Sequence, residues 1–174
     1  MAVLSVIHRE RAALLQIRGS GSLAALAAAS LEVPDAWFTY GSTATLDRQR
    51  LDFVARLGSR ECLLYSDQDE QLADTIVATG VADTFVFPRD DTVLAIAGER
   101  WREMMLQVCS FDLGSSHPPQ FVMASAAGIS IWMRIPAAGE PLLIGCDPSY
   151  GYYLLSTLEQ IVQDFNYTCN QAEN

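Results

Sequence analysis

The sequence has no lysine, and all eleven basic residues among its 174 are arginines. A phosphate-binding loop of the GxxxxGK(S/T) type, a Schiff-base lysine and a lysine general base are therefore excluded. It also contains neither the GxGxxG fingerprint of dinucleotide-binding proteins nor the GxSxG turn that presents a nucleophilic serine. We expect none of these chemistries from this chain.

Charged residues are scarce, at 18%, and the acidic ones dominate, giving a formal net charge of −10. Because such a surface repels phosphate backbones and anionic lipids, we expect no nucleic-acid partner and no membrane partner. The longest unbroken apolar run, Leu23–Ala29, is too short to cross a bilayer. No basic and apolar secretory signal opens the sequence, so the predicted location is the cytoplasm.

Metal-binding patterns are also missing. The four cysteines stand at least 23 residues apart and form no CxxC pair: Cys62, Cys109, Cys146 and Cys169. Three of them lie in apolar surroundings, where free cysteine packs as a small hydrophobic residue. The two histidines, His8 and His117, have no second ligand at a characteristic spacing. The sequence therefore predicts no metal site.

Two groups of carboxylates are candidates for acid–base catalysis. The first, at Asp67, Asp69 and Glu70, fits the positively polarised first turn of a predicted helix. The second, Asp90-Asp91, falls in a predicted turn, where aspartates hydrogen-bond the local backbone. Both have a sufficient structural explanation, and we predict no catalytic residues in this chain.

Hydrophobic periodicity predicts an α+β protein. The first half reads β-α-β-β-α-β and the second half β-α-β-β-β-α, which suggests two tandem ferredoxin-like split β-α-β units sharing one core. We expect a single domain over residues 1–174, with mobile segments at 35–47 and in a tail at 167–174. Strands are predicted at 14–18, 51–57, 61–65, 84–87, 92–97, 120–125, 129–135 and 142–146. Helices are predicted at 23–30 with Ser22 as the N-cap, from an N-cap at Ser66 or Asp67 to about 79, at 99–108, and from near 148–149, with Ser149 as the cap, to about 165. The apolar face of the third helix comprises Trp101, Met104, Met105 and Val108, and that of the last comprises Leu154, Leu158, Ile161 and Phe165.

Aromatic residues provide candidates for a partner interface. Trp37, Phe38 and Tyr40 cluster in the 35–47 loop, and Trp132 lies on a predicted strand. Such residues either pack over the chain's own core or anchor a partner protein. The sequence leaves both interpretations open.

Three segments carry a resemblance to a known family. Residues 57–64 read LGSRECLL, residues 93–98 read VLAIAG and are followed by a helix and CSFDL at 109–113, and residues 147–151 read DPSYG before the last helix. In order and spacing they resemble the gamma subunit of heterotetrameric sarcosine oxidase, with its LGPDEWLL, C-x-x-D-L and R-S-Y/F-A blocks. That family is related to the folate-binding domain of aminomethyltransferase. The resemblance spans roughly residues 10–165, and three residues of the first block differ.

The resemblance implies the fold of that folate-binding domain and a non-catalytic, gamma-like small subunit. The implied complex oxidatively demethylates sarcosine or a related N-methyl amino acid and transfers the one-carbon unit to tetrahydrofolate. FAD, FMN, NAD and tetrahydrofolate would be held by the larger flavoprotein and folate-domain subunits. Larger relatives carry an acidic residue for the transfer, whereas the region matched to it here, residues 128–132, reads GISIW and has no carboxylate.

Two other functions remain open at this stage. One is a free-standing folate-binding or aminomethyltransferase-like protein, which would bind tetrahydrofolate by itself. The other is an interaction domain of an unrelated assembly. The sequence assigns no cofactor-binding residues to this chain under any of the three.

Overall fold

A computed structural model describes residues 4–9, 13–42, 51–67 and 71–172, without the side chains of Ser42 and residues 169–172. Ten strands and four α-helices lie within these ranges. The strands are β1 (Ser5–His8), β2 (Ala13–Arg18), β3 (Thr39–Ser42), β4 (Phe53–Arg56), β5 (Glu61–Ser66), β6 (Phe85–Pro88), β7 (Thr92–Ala97), β8 (Phe121–Ala126), β9 (Ile129–Arg134) and β10 (Leu142–Cys146). The helices are α1 (Ser22–Ala28), α2 (Leu72–Ala78), α3 (Trp101–Met105) and α4 (Gly151–Ala172), the last preceded by a 3₁₀ turn at Pro148–Tyr150.

The chain divides into two compact units, each built on one five-stranded sheet. Unit 1 contains Met1–Glu10, Asp91–Pro118 and Val122–Asn174, and its strand order is β1-β7-β10-β9-β8. Unit 2 contains Arg11–Asp90 and Pro119–Phe121, and its strand order is β3-β4-β5-β2-β6. The α+β class is confirmed. The tandem ferredoxin-like detail, the shared core and the single domain stay predictions.

In unit 2, helices α1 and α2 cover one face of the sheet. Ala25 and Leu26 of α1 and Ile76 of α2 are buried together with alternate residues of the strands. Those strand residues are Leu15, Ile17, Val54, Cys62 and Leu64. The period of two in the strands and the apolar face of each short helix therefore meet in one core.

In unit 1, α4 is the main covering element. Leu154, Leu158 and Val162 are buried on one face of this helix, and Ile161 and Phe165 pack against the same core. Trp101, Met104 and Met105 of α3 are also buried there, at the i, i+3, i+4 spacing that predicted them. These predictions of the inward helix faces are confirmed.

Several predicted boundaries were wrong. The sequence did not indicate the edge strands β1 and β3, because each is four residues long with a mixed polar and apolar pattern. Ser66 is the last residue of β5, and helix α2 begins at Leu72, later than predicted. Helix α3 ends at Met105, three residues before its predicted end. Helix α4 continues to Ala172, so residues 167–172 of the predicted tail are helical.

Two predicted helix caps were also wrong. Ser22 is the first residue of α1, not its cap, and its buried Oγ has no hydrogen-bond partner among the described residues. At the last helix, Asp147 caps the 3₁₀ turn by accepting a hydrogen bond from the Ser149 N–H at 2.9 Å. The capping group thus lies two residues before the predicted one.

No helix within the described ranges combines the length and the apolar character that a bilayer span requires.

Cys62, Cys109 and Cys146 are buried free thiols, as predicted, whereas the side chain of Cys169 lies outside the described part. Burial raises the pKa of Cys62 from 9.0 to about 11. Burial, with the nearby Asp91 and Asp147, raises the pKa of Cys146 to about 11 as well. Each thiol therefore stays protonated in the folded chain at pH values where it ionises in the unfolded chain.

This difference predicts a loss of stability at high pH. Above pH 9 the unfolded state binds fewer protons than the folded state, so the free energy of unfolding should fall between pH 9 and 11 and be unaffected by these thiols below pH 9. The free energy of unfolding can fall by at most about 1.4 kcal/mol per pH unit for each thiol. Urea unfolding across this range should show a shallower slope in the Cys62→Ala/Cys146→Ala variant. Equal slopes in the two proteins would contradict the prediction.

Candidate partner interface

An exposed pair of aromatic residues lies in unit 2, in the loop that enters β3. Trp37 is 59% exposed and Phe38 is 45% exposed. Two adjacent large apolar side chains in solvent are unusual on a monomer and are typical of an interaction surface. Trp in particular is enriched among residues that dominate the binding energy of interfaces.

The backbone holds this pair in a defined orientation. The Phe38 N–H donates to the Arg56 carbonyl at 2.7 Å, and the Phe38 carbonyl accepts from the Phe121 N–H at 2.8 Å. Between these bonds Phe38 adopts φ +54°, a left-handed conformation that costs an aromatic residue about 1–3 kcal/mol. Strain of this kind persists only where neighbouring contacts enforce it and is concentrated at functional sites.

The Arg56 side chain holds the start of this loop through hydrogen bonds to backbone carbonyls. Its Nη1 donates to the carbonyls of Pro34 at 3.2 Å and Asp35 at 2.9 Å, and its Nε donates to Gly58 at 3.3 Å. A guanidinium suits this task because its donors point in fixed directions from one plane. The start of the predicted mobile loop is thus tied to β4.

We expect Arg56→Lys to loosen the aromatic loop while keeping the charge. An ammonium cannot reach three carbonyls in this geometry, so the free energy of unfolding should fall by about 1–2 kcal/mol. Chymotrypsin should also cleave faster beside Trp37 and Phe38. Arg60→Lys, at an exposed position in the bend between β4 and β5, is the matched control and should change neither measurement. Unchanged cleavage in Arg56→Lys would contradict the assigned role.

The other two aromatic candidates are buried and cannot face a partner, which corrects the prediction for them. Tyr40 packs edge-on against Phe53, whose ring stacks on Tyr65 with 5.5 Å between centroids. Trp132, in unit 1, is 3% exposed, and its Nε1 donates to Asp91 Oδ2 at 2.8 Å. Of the four predicted residues, the structure therefore places Trp37 and Phe38 together at the surface.

Two of the acidic candidates, Asp67 and Asp91, have local structural roles. Asp67 accepts a hydrogen bond from the Tyr65 hydroxyl at 2.5 Å, and Asp91 holds the Trp132 indole. Asp69 and Glu70 lie outside the described residues. Hydrogen bonds from the Ser115 side chain and the Gly114 N–H lower the pKa of Asp112, and the same bonds hold the loop that follows it. Within the described ranges, no three His, Cys, Asp or Glu side chains are grouped as metal ligands would be.

Sequence reasoning missed one buried carboxylate. Asp52 is 3% exposed, and its Oδ1 accepts a hydrogen bond from the Asp67 N–H at 2.8 Å. Its Oδ2 has no hydrogen-bond partner among the described residues. Burying such an oxygen is costly unless something binds it. An aspartate directly before the apolar residues that open β4 was the available signal.

A second exposed aromatic pair was also missed, on the edge strand β6. Phe85 and Phe87 lie beside Arg18 and Gln16 of β2 in the sheet register. Arg18 pairs with Glu61 at 2.9 Å. An open groove of about 560 Å³ lies here, lined by both charges of this pair and by Phe85. Pro88 ends the strand without an N–H, which blunts the edge against further strand pairing.

Comparison with known proteins extends this description. No protein-family model and no curated protein sequence matches the chain. Its structure is similar to a chain of the heterotetrameric sarcosine oxidase from Corynebacterium sp. U-96, solved in complex with pyrrole 2-carboxylate. The TM-score is 0.79 at 19% identity, over 94% of this chain and 85% of that chain.

A second solved structure has a related fold. The glycine cleavage system aminomethyltransferase T from Bartonella henselae superimposes with a TM-score of 0.66 at 13% identity, over 90% of this chain. This chain spans 45% of that protein, so it corresponds to a part of it. The resemblance to sarcosine oxidase and aminomethyltransferase is therefore confirmed for the fold.

Proposed function

We propose that this chain is a non-catalytic small subunit of a heterotetrameric flavoenzyme that oxidatively demethylates sarcosine or a related N-methyl amino acid. One observation carries the proposal: the fold matches a chain of comparable length in a heterotetrameric sarcosine oxidase, with coverage above four fifths on both sides.

In this proposal the larger subunits hold FAD, FMN, NAD and tetrahydrofolate, and the complex works in the cytoplasm. This chain contributes a docking surface, of which Trp37 and Phe38 form a part. Their exposure and the strained backbone at Phe38 support this assignment. The one-carbon unit passes to tetrahydrofolate on a companion subunit.

Co-expression tests the proposal. The chain should be produced with the flavoprotein and folate-domain proteins encoded beside it and should elute with them in one complex on size-exclusion chromatography. That complex should release the N-methyl carbon of sarcosine as formaldehyde, or as methylene-tetrahydrofolate when tetrahydrofolate is present. Separate elution of the chain from every flavoprotein would contradict the proposal.

A second candidate is a free-standing folate-binding protein. It is supported by the likeness to aminomethyltransferase T and by Asp52, whose buried Oδ2 has no hydrogen-bond partner among the described residues and can accept hydrogen bonds from a ligand. Calorimetric titration of the isolated chain with tetrahydrofolate to about 1 mM detects binding down to about −4 kcal/mol. Binding there, and its loss in Asp52→Ala, would favour this candidate. An interaction domain of an unrelated assembly should pass neither test.

A further inference from the structure

The outer edge of β1 in unit 1 is an incompletely paired strand edge. Strand β1 pairs with β7 antiparallel, with Ile7 opposite Ala95, and the Arg9 N–H donates to Val93 at 2.9 Å. In an antiparallel pair the hydrogen-bonded positions alternate, so residues 5, 7 and 9 bond to β7. The N–H and C=O groups of Leu4 and Val6 consequently point away from the sheet.

At Leu4 a side chain satisfies both of these groups. The Leu4 N–H donates to Asn166 Oδ1 at 3.1 Å, and Asn166 Nδ2 donates to the Leu4 carbonyl at 2.9 Å. The amide of Asn166, on α4, thus makes the same pair of bonds that a neighbouring strand would make. The edge beyond it, at Val6, has no such substitute in the described part of the chain.

A groove follows this edge between β1 and α4. It has a volume of about 440 Å³ and is lined by Val6, Ser156, Glu159, Gln160, Val162 and Gln163. Its wall is polar and holds one carboxylate and no cation among these residues. The part of α4 whose side chains are described, residues 151–168, has the same bias, because it contains Glu159 and Asp164 and no basic residue. The nearest basic residues along and against these elements are His8 and Arg9, which follow Val6 on the chain, and Arg100, which packs on the Phe165 ring.

We propose that an extended segment of a larger partner subunit, carrying an arginine or lysine, adds as a strand at Val6 and places its cation on Glu159. Main-chain bonds at an open edge provide affinity in this mode, and side-chain pockets provide specificity. The charge of the groove favours a basic segment. A second copy of this chain is disfavoured as occupant, since its net charge of −10 would face the same acidic groove. The inference rests on the proposed function for the identity of the partner.

The test uses the complex with the co-expressed larger subunits, and dissociation constants are measured for three variants. Val6→Pro removes the outward N–H but none of the bonds from β1 to β7, so the strand should survive. Glu159→Arg reverses the charge in the groove. Tyr152→Arg places a cation on the same helix, outside the groove lining and at an 85% exposed position, and is the control. Thermal unfolding of each isolated variant reports whether it folds.

We expect Val6→Pro and Glu159→Arg each to weaken the complex at least tenfold and Tyr152→Arg less than twofold. The effect of Glu159→Arg should shrink at 0.5 M salt, because salt screens an exposed ion pair. If Val6→Pro does not fold, Glu159→Arg decides alone. Parent-like affinity of the groove variants in an intact complex overturns this inference and leaves the proposed function standing. If the parent chain forms no complex, both fail, and a chain dimer that Val6→Pro dissociates would assign the edge to a second copy.

Discussion

Replacing Gly145 by alanine should lower the free energy of unfolding by about 3–5 kcal/mol. Gly145 of β10 lies opposite Trp132 of β9, and the indole crosses directly over the glycine. A Cβ atom at Gly145 would lie 2.0–2.3 Å from Cε2, Cζ2 and Nε1 of that ring. Real Cβ atoms do not approach so closely, so the ring must move.

The indole has little freedom to move. Trp132 is buried, and its Nε1 hydrogen bond to Asp91 would be lost on displacement. Overpacking a core costs about 1–3 kcal/mol, and losing a hydrogen bond to a charged group costs about 1.5–3 kcal/mol. The expected loss is the combination of the two.

Urea unfolding measures this effect, with Gly58→Ala as the matched control. A Cβ at Gly58 meets nothing within 4 Å, so that variant should stay within about 0.5 kcal/mol of the parent. In a Trp132→Ala background the clash has no partner, and Gly145→Ala should then cost less than 1 kcal/mol. An equal cost in both backgrounds would show that the indole is not the cause.

Gly145 illustrates what the sequence could not predict. Along the chain it is one small residue inside an apolar strand, and its importance depends on the register that sets it opposite Trp132. Trp132 was a candidate for an interface for the same reason. Ser130, Trp132 and Arg134 alternate with apolar residues along β9, which is the pattern of an outward face, yet Trp132 and Arg134 are buried as well.

The elements with a repeated apolar pattern or a dense apolar run were predictable. The inward face of α4 follows from apolar residues repeating over four turns, and strands β5, β7 and β10 follow from dense apolar runs. Edge strands β1 and β3 were not, because a short, half-exposed strand gains its stability from the neighbouring strand rather than from its own residues.

The candidate interface was predictable in composition but not in geometry. Trp37, Phe38 and Tyr40 are close in sequence, yet Tyr40 turns inward and the other two turn outward. The cause is the left-handed backbone at Phe38. The sequence did not predict it, because such a conformation is expected at glycine or asparagine and not at phenylalanine. Arg56, eighteen residues later, supplies contacts that hold the loop, and its role follows only from the fold.

Replacing Trp37 by alanine should weaken the complex with the larger subunits by about 2 kcal/mol or more, roughly 30-fold. The side chain is 59% exposed in the isolated chain, so its removal should change the free energy of unfolding by less than about 0.5 kcal/mol. Val77→Ala, at a 64% exposed apolar position on α2 of the same unit, is the matched control and should leave affinity unchanged. Equal affinities for all three proteins would exclude this loop from the interface.

Phe38→Gly separates binding from stability more sharply, because the affinity for the larger subunits should fall while the free energy of unfolding does not. Glycine adopts φ +54° without steric cost, so the variant should be as stable as the parent or up to about 1 kcal/mol more stable, after the larger entropy of the unfolded chain is counted. Its affinity for the larger subunits should nevertheless fall at least tenfold, because an exposed aromatic anchor is lost. The strained backbone at Phe38 is costly to the isolated chain, and only a contact between its ring and a partner would offset that cost. Gained stability with unchanged affinity would therefore contradict the assignment of this loop to a partner.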